Sequence, residues 1–131
     1  ADRMNGGMGY DLLDGGLGAD TLTGSSGDDF FRFSSALGNG NIDYLQDFNH
    51  ADDTVLLDNQ IFTTLTEGVL TFGAFYASTA GTAQDASDRI IYDIDSGRLY
   101  YDADGSGSGA AVQFARVAAN LSLSADDFVI I

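Results

Sequence analysis

Three aspartates, Asp11, Asp20 and Asp29, recur every nine residues, each behind a glycine-rich turn. The copies read Gly6-Gly-Met-Gly-Tyr-Asp11-Leu-Leu-Asp14, Gly15-Gly-Leu-Gly-Ala-Asp20-Thr-Leu-Thr23 and Gly24-Ser-Ser-Gly-Asp-Asp29-Phe-Phe-Arg32. Their shared pattern is G-G-x-G-x-D-x-U-x, with U a large apolar residue. Glycine at the first, second and fourth positions opens backbone conformations closed to other residues. It lets carbonyl oxygens turn into the gap between stacked turns, where the sixth-position Asp adds charge. Such an all-oxygen cage suits a hard cation that takes six to eight ligands, which is the chemistry of Ca²⁺. Mg²⁺ demands a tighter octahedron and keeps its waters, so it fits less well.

The frame dictates which residues meet. Two nonapeptides make one right-handed turn of a coil, so each copy stacks on the next but one. Asp11 is expected to face Asp29, with carbonyls such as those of Gly6, Met8, Gly24 and Ser26. Asp20, with the carbonyls of Gly15 and Leu17, is expected to face Asp2 on one side and Asp43 on the other. Asp2 belongs to Ala1-Asp-Arg-Met-Asn5, which fits the last five positions of another nonapeptide. The array is therefore expected to continue upstream into a longer protein. Asp43 belongs to Gly38-Asn-Gly-Asn-Ile-Asp43-Tyr-Leu-Gln46, a degraded copy that follows a five-residue insertion, 33–37, expected to bulge outward. The eighth-position residues Met4, Leu13, Leu22 and Phe31 are expected to point inward as a thin core. Asp14 and Asp28 fall outside the sixth position and are expected to be solvated.

The elements that position these turns are short strands. Asp53-Thr-Val-Leu-Leu57 alternates as a strand does, and Val69-Leu-Thr-Phe72 is a further candidate. The segments 89–93 and 98–102 flank Ile94-Asp-Ser-Gly97, with Gly where a hairpin turn needs positive φ. Ala110 to Val117 reads as a strand with Val112, Phe114 and Arg116 on one face, and the chain ends in the apolar run Phe128-Val-Ile-Ile131. No segment sustains a helical period, and Pro is absent. The expected fold is all-β, with the nonapeptide array over 1–46 and further strands over 47–131.

The 131 residues include 20 acidic residues against 5 basic ones, a formal charge of −15. Glu67 is the only Glu, so the acids are almost all Asp, the residue suited to turns and cation loops. So acidic a chain is repelled by nucleic acid and by anionic membranes. Cys is absent, which excludes disulfides, thiolate metal sites and a Cys nucleophile. No apolar run is long enough to span a membrane.

Two weaker motifs carry competing readings. Asp102-Ala-Asp-Gly-Ser-Gly107 matches the first half of an EF-hand loop, but Gln113 stands at the twelfth position, where a bidentate carboxylate belongs, and the flanks read as strands. A glycine-rich hairpin turn is the preferred reading. His50 is the only His, too few for a zinc protease centre, and reads as a solvated loop residue. No nucleophile-elbow motif accompanies it, so a Ser–His–Asp triad is not supported. No catalytic residue is assigned, and any catalytic domain is expected upstream.

At the nonapeptides the chain resembles the RTX (repeats-in-toxin) proteins, secreted calcium-binding proteins of Gram-negative bacteria. Asp43-x-Leu45-x-Asp47-Phe48 with Asp53-x-Val55-x-Leu57 is similar to the block that follows the repeats in serralysin-type metalloproteases. The segment from Asp85 to Gly107 is similar to the C-terminal cap of many RTX proteins. The resemblance implies a short right-handed parallel β-roll over 1–46 leading into an antiparallel β-sandwich cap over 47–131. It also implies an extracellular module whose partners are calcium ions and a type I secretion exporter, with an uncleaved C-terminal export signal; as a fragment it is expected to be monomeric. Residues 127–131, an acidic residue before a terminal hydrophobic run, fit that signal, which is the preferred reading and is compatible with a last strand of the sandwich.

With carboxylates this close, the calcium-free array repels itself. At an effective dielectric of about 20, two charges about 4 Å apart cost on the order of 4 kcal/mol. The array is expected to be disordered without calcium and to fold on binding it outside the cell. A protease, lipase or toxin parent is compatible with this module. The competing function is an adhesin or carbohydrate-binding module using Tyr76, Tyr92, Tyr100 or Tyr101.

Overall fold

The structure, a computed structural model, describes residues 3–38, 40–49, 51–79, 84, 86–105 and 111–131. Those residues form strands with almost no helix, in two mixed sheets. The first six strands are β1 (Arg3–Asn5), β2 (Leu12–Leu13), β3 (Thr21–Thr23), β4 (Phe30–Phe33), β5 (Asp43–Leu45) and β6 (Thr54–Leu57). They alternate between the sheets, and every pairing among them is parallel: β1 with β3, β3 with β5, β2 with β4, and β4 with β6. A nine-residue repeat holding one short strand forces this, because neighbouring copies lie on opposite sides and only alternate copies pair.

The remaining strands are β7 (Gly68–Val69), β8 (Phe75–Ser78), β9 (Ile90–Asp93), β10 (Arg98–Tyr101), β11 (Val112–Arg116) and β12 (Phe128–Ile130). One sheet runs β1-β3-β5-β11-β10-β9-β8 and the other β2-β4-β6-β12-β7. Both continue across residues 46 and 47. The later half is not the purely antiparallel cap that the sequence leads one to expect. β9, β10 and β11 pair antiparallel, as do β12 and β7, but β8 joins β9 in parallel and β11 and β12 extend β5 and β6 in parallel. The open edges of β5 and β6 need partners in the direction the repeats already set.

One apolar core joins the two sheets. Leu22, Leu45 and Leu99 from the longer sheet and Phe31, Val55, Leu57 and Phe128 from the shorter are all buried within it. Leu13, Leu22 and Phe31 point inward as the frame requires, and Met4 packs partly against them. Phe62, in the irregular segment after β6, is fully buried edge-on against Phe114 and Tyr101, at 5.1 and 5.0 Å between ring centres. Inserted residues 33–37 do not bulge outward: Phe33 prolongs β4 and stacks edge-on with Phe114, and Leu37 packs on the core.

Two strand expectations change and one holds. Val69 to Phe72 is not one strand, for β7 stops at Val69 and Phe72 is 91% exposed in a 3-10 turn. The 94–97 hairpin is present, with Gly97 at φ 78. In β11 the register against β10 shifts between Leu99 and Tyr100, a β-bulge that buries both Phe114 and Ala115 and turns Arg116 outward. Val112, Phe114 and Arg116 therefore do not share a face.

Candidate metal centre

The sixth-position aspartates form a ladder. The backbone N–H of Asp11 donates to Oδ1 of Asp29 at 3.0 Å, that of Asp20 to Oδ1 of Asp43 at 3.0 Å, and that of Asp29 to Oδ1 of Asp53 at 3.1 Å. Each carboxylate thus fixes the turn one coil before it. Asp20, Asp29, Asp43 and Asp53 are buried. The structure brings Asp11 to Asp29 and Asp20 to Asp43, while Asp2 lies outside the described residues.

The second oxygen of each rung distinguishes the sites. Oδ2 of Asp11 and Oδ2 of Asp29 are buried without a hydrogen-bond partner among the described residues. A buried carboxylate oxygen left so costs several kcal/mol unless something positive satisfies it. Asp53 differs: its Oδ2 accepts the N–H of Asn49 at 2.9 Å. Asp47 likewise spends both oxygens on the N–H groups of Gly24 and Ser25, at 2.9 and 2.7 Å. Asn41 Oδ1 accepts the N–H of Gly18 at 2.8 Å. Side chains thus close the array where a further glycine turn would otherwise stack.

The glycines serve two purposes. The second and fourth positions hold positive φ, as at Gly7 and Gly9, and Ser25 does the same at φ 71. The first position does not need positive φ. A Cβ on Gly24 would lie 2.3 Å from Asp29 Oδ2, and one on Gly15 would lie 2.7 Å from Asp20 Oδ2 and 2.9 Å from Asp43 Oδ2. The first glycine makes room for the carboxylate. The degraded copy departs from this frame, with positive φ at its first and third positions, Gly38 and Gly40.

Backbone oxygen also enters the gap. A Cβ on Gly27 would lie 2.2 Å from the Gly9 carbonyl oxygen, so stacked turns 6–11 and 24–29 meet backbone to backbone. Met8 and Ser26 pair across them, and Ser26 O accepts the N–H of Gly9 at 3.1 Å. The Met8 and Leu17 side chains point to solvent. Among the described residues no three His, Cys, Asp or Glu side chains converge as a metal cluster. A cation here would rest on one or two carboxylates and on main-chain oxygens. The orphaned Oδ2 atoms and the oxygen-only donor set fit Ca²⁺.

No family model, curated protein or solved structure matches the chain.

Burial pushes the Asp29, Asp43 and Asp53 carboxyls above their ordinary range, Asp43 to about 6, and neighbouring aspartates add to the rise. Asp14 moves the other way. Burial raises it, but hydrogen bonds from Ser34 Oγ at 2.6 Å, Arg32 Nε at 2.9 Å and the Gly16 N–H outweigh that. Asp14 is thus ion-paired rather than solvated, and Asp28 is exposed.

Sequence reasoning missed Asp53 as a rung. Its signal was present: Asp53 precedes Val55 by two, as Asp29 precedes Phe31 and Asp43 precedes Leu45. No glycine turn precedes it to mark the frame.

Among the competing sites, Tyr92 and Tyr101 are core residues. Tyr92 Oη donates to Ala118 O and accepts the Leu121 N–H, and Tyr101 Oη bonds Thr64. In the Asp102 loop, Asp102 is buried and accepts the Asp104 N–H at 3.3 Å, while Ser106, Gly107 and His50 lie outside the described residues. No helix among the described residues is long and apolar enough to cross a membrane.

Proposed function

We propose that this chain is a non-catalytic calcium-binding module of a longer secreted protein. It is a short right-handed parallel β-roll closed by a β-sandwich cap, folding when it meets calcium outside the cell. The observation that carries this reading is the pair of buried, unpartnered carboxylate oxygens of Asp11 and Asp29 between stacked turns. Asp11 and Asp29, with main-chain oxygens of 6–11 and 24–29, would hold one ion. Asp20 and Asp43, with the turn at 15–20, would hold a second. Calcium would neutralise carboxylates that otherwise repel, and mass action would then favour the folded form. Sites of this extracellular type bind in the range of roughly 10⁻⁴–10⁻³ M.

The export reading follows from the same coupling. β12 lies between β6 and β7 with Phe128 and Ile130 buried, so residues 127–131 are legible to an exporter only in the unfolded chain. Scarce cytosolic calcium would keep it so. Calorimetry with calcium, followed by circular dichroism in chelator and in millimolar calcium, tests the proposal. Heat of binding together with a gain of β signal is expected. Identical spectra in both conditions would overturn it.

A further inference from the structure

The chain's few cations are not scattered. On the outer face of the seven-stranded sheet one transverse row reads Arg3, Thr21, Tyr44, Arg116, Arg98 across β1, β3, β5, β11 and β10. It gathers three of the 5 basic residues of a chain of formal charge −15. Arg98 and Arg116 are exposed and stand directly opposite each other. Like charges in that relation destabilise a sheet. Asp93 is the other cross-strand neighbour of Arg98, yet the one ion pair among the described residues is Arg32 with Asp14.

Two features hold this arrangement. The β11 bulge turns Arg116 out of the core face, and the Arg116 guanidinium lies over the Tyr44 ring, 4.2 Å from its centre. Stacking of this kind fixes a guanidinium and leaves its N–H fork free. On either side of Thr21 lie open grooves, one of about 240 Å³ reaching Gln113 and Arg116, one of about 500 Å³ lined by Arg3, Asn5, Thr23 and Gln46. Asp20 and Asp43 border the first but are buried, and Asp47 borders the second with both carboxylate oxygens accepting the N–H groups of Gly24 and Ser25.

We propose that this face binds an anionic oligosaccharide, its carboxylate or sulfate held by the Arg98–Arg116 pair and its hydroxyls by the amide and hydroxyl side chains along the grooves. Two exposed arginines on neighbouring strands, neither ion-paired among the described residues, are complementary to an oxyanion. Polar side chains along a flat sheet suit a chain of hydroxylated rings. A polymer of dense charge, such as nucleic acid, would be repelled by the acidic remainder of the molecule. A sparse one feels mainly the local pair, since at physiological salt charges are screened beyond about 8 Å. Tyr44 is a positioning residue, acting through Arg116. The proposal does not depend on the calcium reading.

The test is titration of the whole chain, at one fixed calcium concentration, with a hexauronate, a sulfated glucan hexamer, the neutral glucan hexamer and hexaglutamate. At least one anionic sugar is expected to bind tenfold or more tighter than the neutral hexamer and hexaglutamate, and the tighter of the two identifies the anion. Arg98→Gln with Arg116→Gln is expected to weaken it at least tenfold with an unchanged or higher Tm. Tyr44→Phe is expected to retain binding and Tyr44→Leu to weaken it. Equal binding of the neutral hexamer, equal binding of hexaglutamate, wild-type affinity in the double variant, or loss of its fold would each overturn the proposal.

Discussion

The backbone N–H of Asp11 reaches Oδ1 of Asp29 at 3.0 Å, while Oδ2 of both residues stays buried without a hydrogen-bond partner among the described residues. On the proposed reading one carboxylate does two jobs: Oδ1 sets the stacking of the turns, and Oδ2 would meet the cation. Asp29→Asn separates them. The amide oxygen retains the bond to Asp11, and the charge is lost. Calcium affinity is expected to fall at least tenfold, about 1.4 kcal/mol. The calcium-free form is expected to gain β structure at neutral pH, because a buried charge has gone. Calorimetry and circular dichroism on the same variant check both; unchanged calcium affinity would remove Asp29 from the site.

The first glycine of a repeat yields a second prediction. Gly24→Ala places a methyl 2.3 Å from Asp29 Oδ2, at a position that does not hold positive φ. The backbone accepts alanine there, but the carboxylate must move. Calcium binding is expected to weaken about tenfold or more, while the far hairpin 90–101 keeps its native chemical shifts. Gly97→Ala is the contrasting case. Its methyl would meet the Val117 carbonyl oxygen, at φ 78, so a loss of more than about 2 kcal/mol in urea unfolding is expected even at saturating calcium.

Much of this was legible in the sequence, for a physical reason. A nine-residue period that returns Asp11, Asp20 and Asp29 to equivalent places also returns Leu13, Leu22 and Phe31 to the core, so frame, strands and inward side chains come together. What the period could not carry was the terminus of the array. Asp47 and Asp53 replace glycine turns with side-chain acceptors, and without a glycine turn the two-residue spacing of Asp53 to Val55 does not by itself mark the frame. The β11 bulge was equally hidden. It depends on which residue of β10 stands opposite, so alternation alone put Arg116 on the wrong face.

Asp53 is expected to be structural. Its Oδ1 holds the Asp29 N–H and its Oδ2 the Asn49 N–H. Asp53→Ala leaves the buried Asp29 N–H without its acceptor, a loss of about 1–3 kcal/mol. The number of calcium ions bound is expected to stay the same. Calorimetric stoichiometry beside urea unfolding distinguishes this from a ligand's role, since losing an ion would make Asp53 a ligand.

Acid is expected to stabilise the calcium-free protein. Burial raises the Asp29, Asp43 and Asp53 carboxyls, so the folded state holds protons more tightly than the unfolded chain does. Stability from this source is complete below about pH 4, where both states are protonated. It is lost as pH rises towards the folded value of Asp43, about 6. The change from Asp43 is on the order of 2 kcal/mol. With saturating calcium the slope reverses, because protons and calcium compete for the same oxygens. The β signal in circular dichroism between pH 4.5 and 7.5 in calcium-free buffer, and urea midpoints over the same range in millimolar calcium, check both slopes; a change in the same direction in both would sink the coupling.

The C-terminal strand offers the sharpest test of folding coupled to export. The Ile131 N–H donates to Leu57 O at 2.9 Å, and Val129 and Ile130 sit between β6 and β7. If calcium holds the roll together, β6 loses its support when calcium is withdrawn, and β12 goes with it. Amide exchange at 128–131 is expected to be fast in chelator and slowed by orders of magnitude in millimolar calcium. The same segment should lose protection in Asp29→Asn at calcium concentrations that protect the wild type, unless that variant has gained calcium-independent structure, which its circular dichroism reports. Strong protection of 128–131 in chelator would mean that β12 docks without the roll, and the terminal run could not then be exposed by calcium scarcity alone.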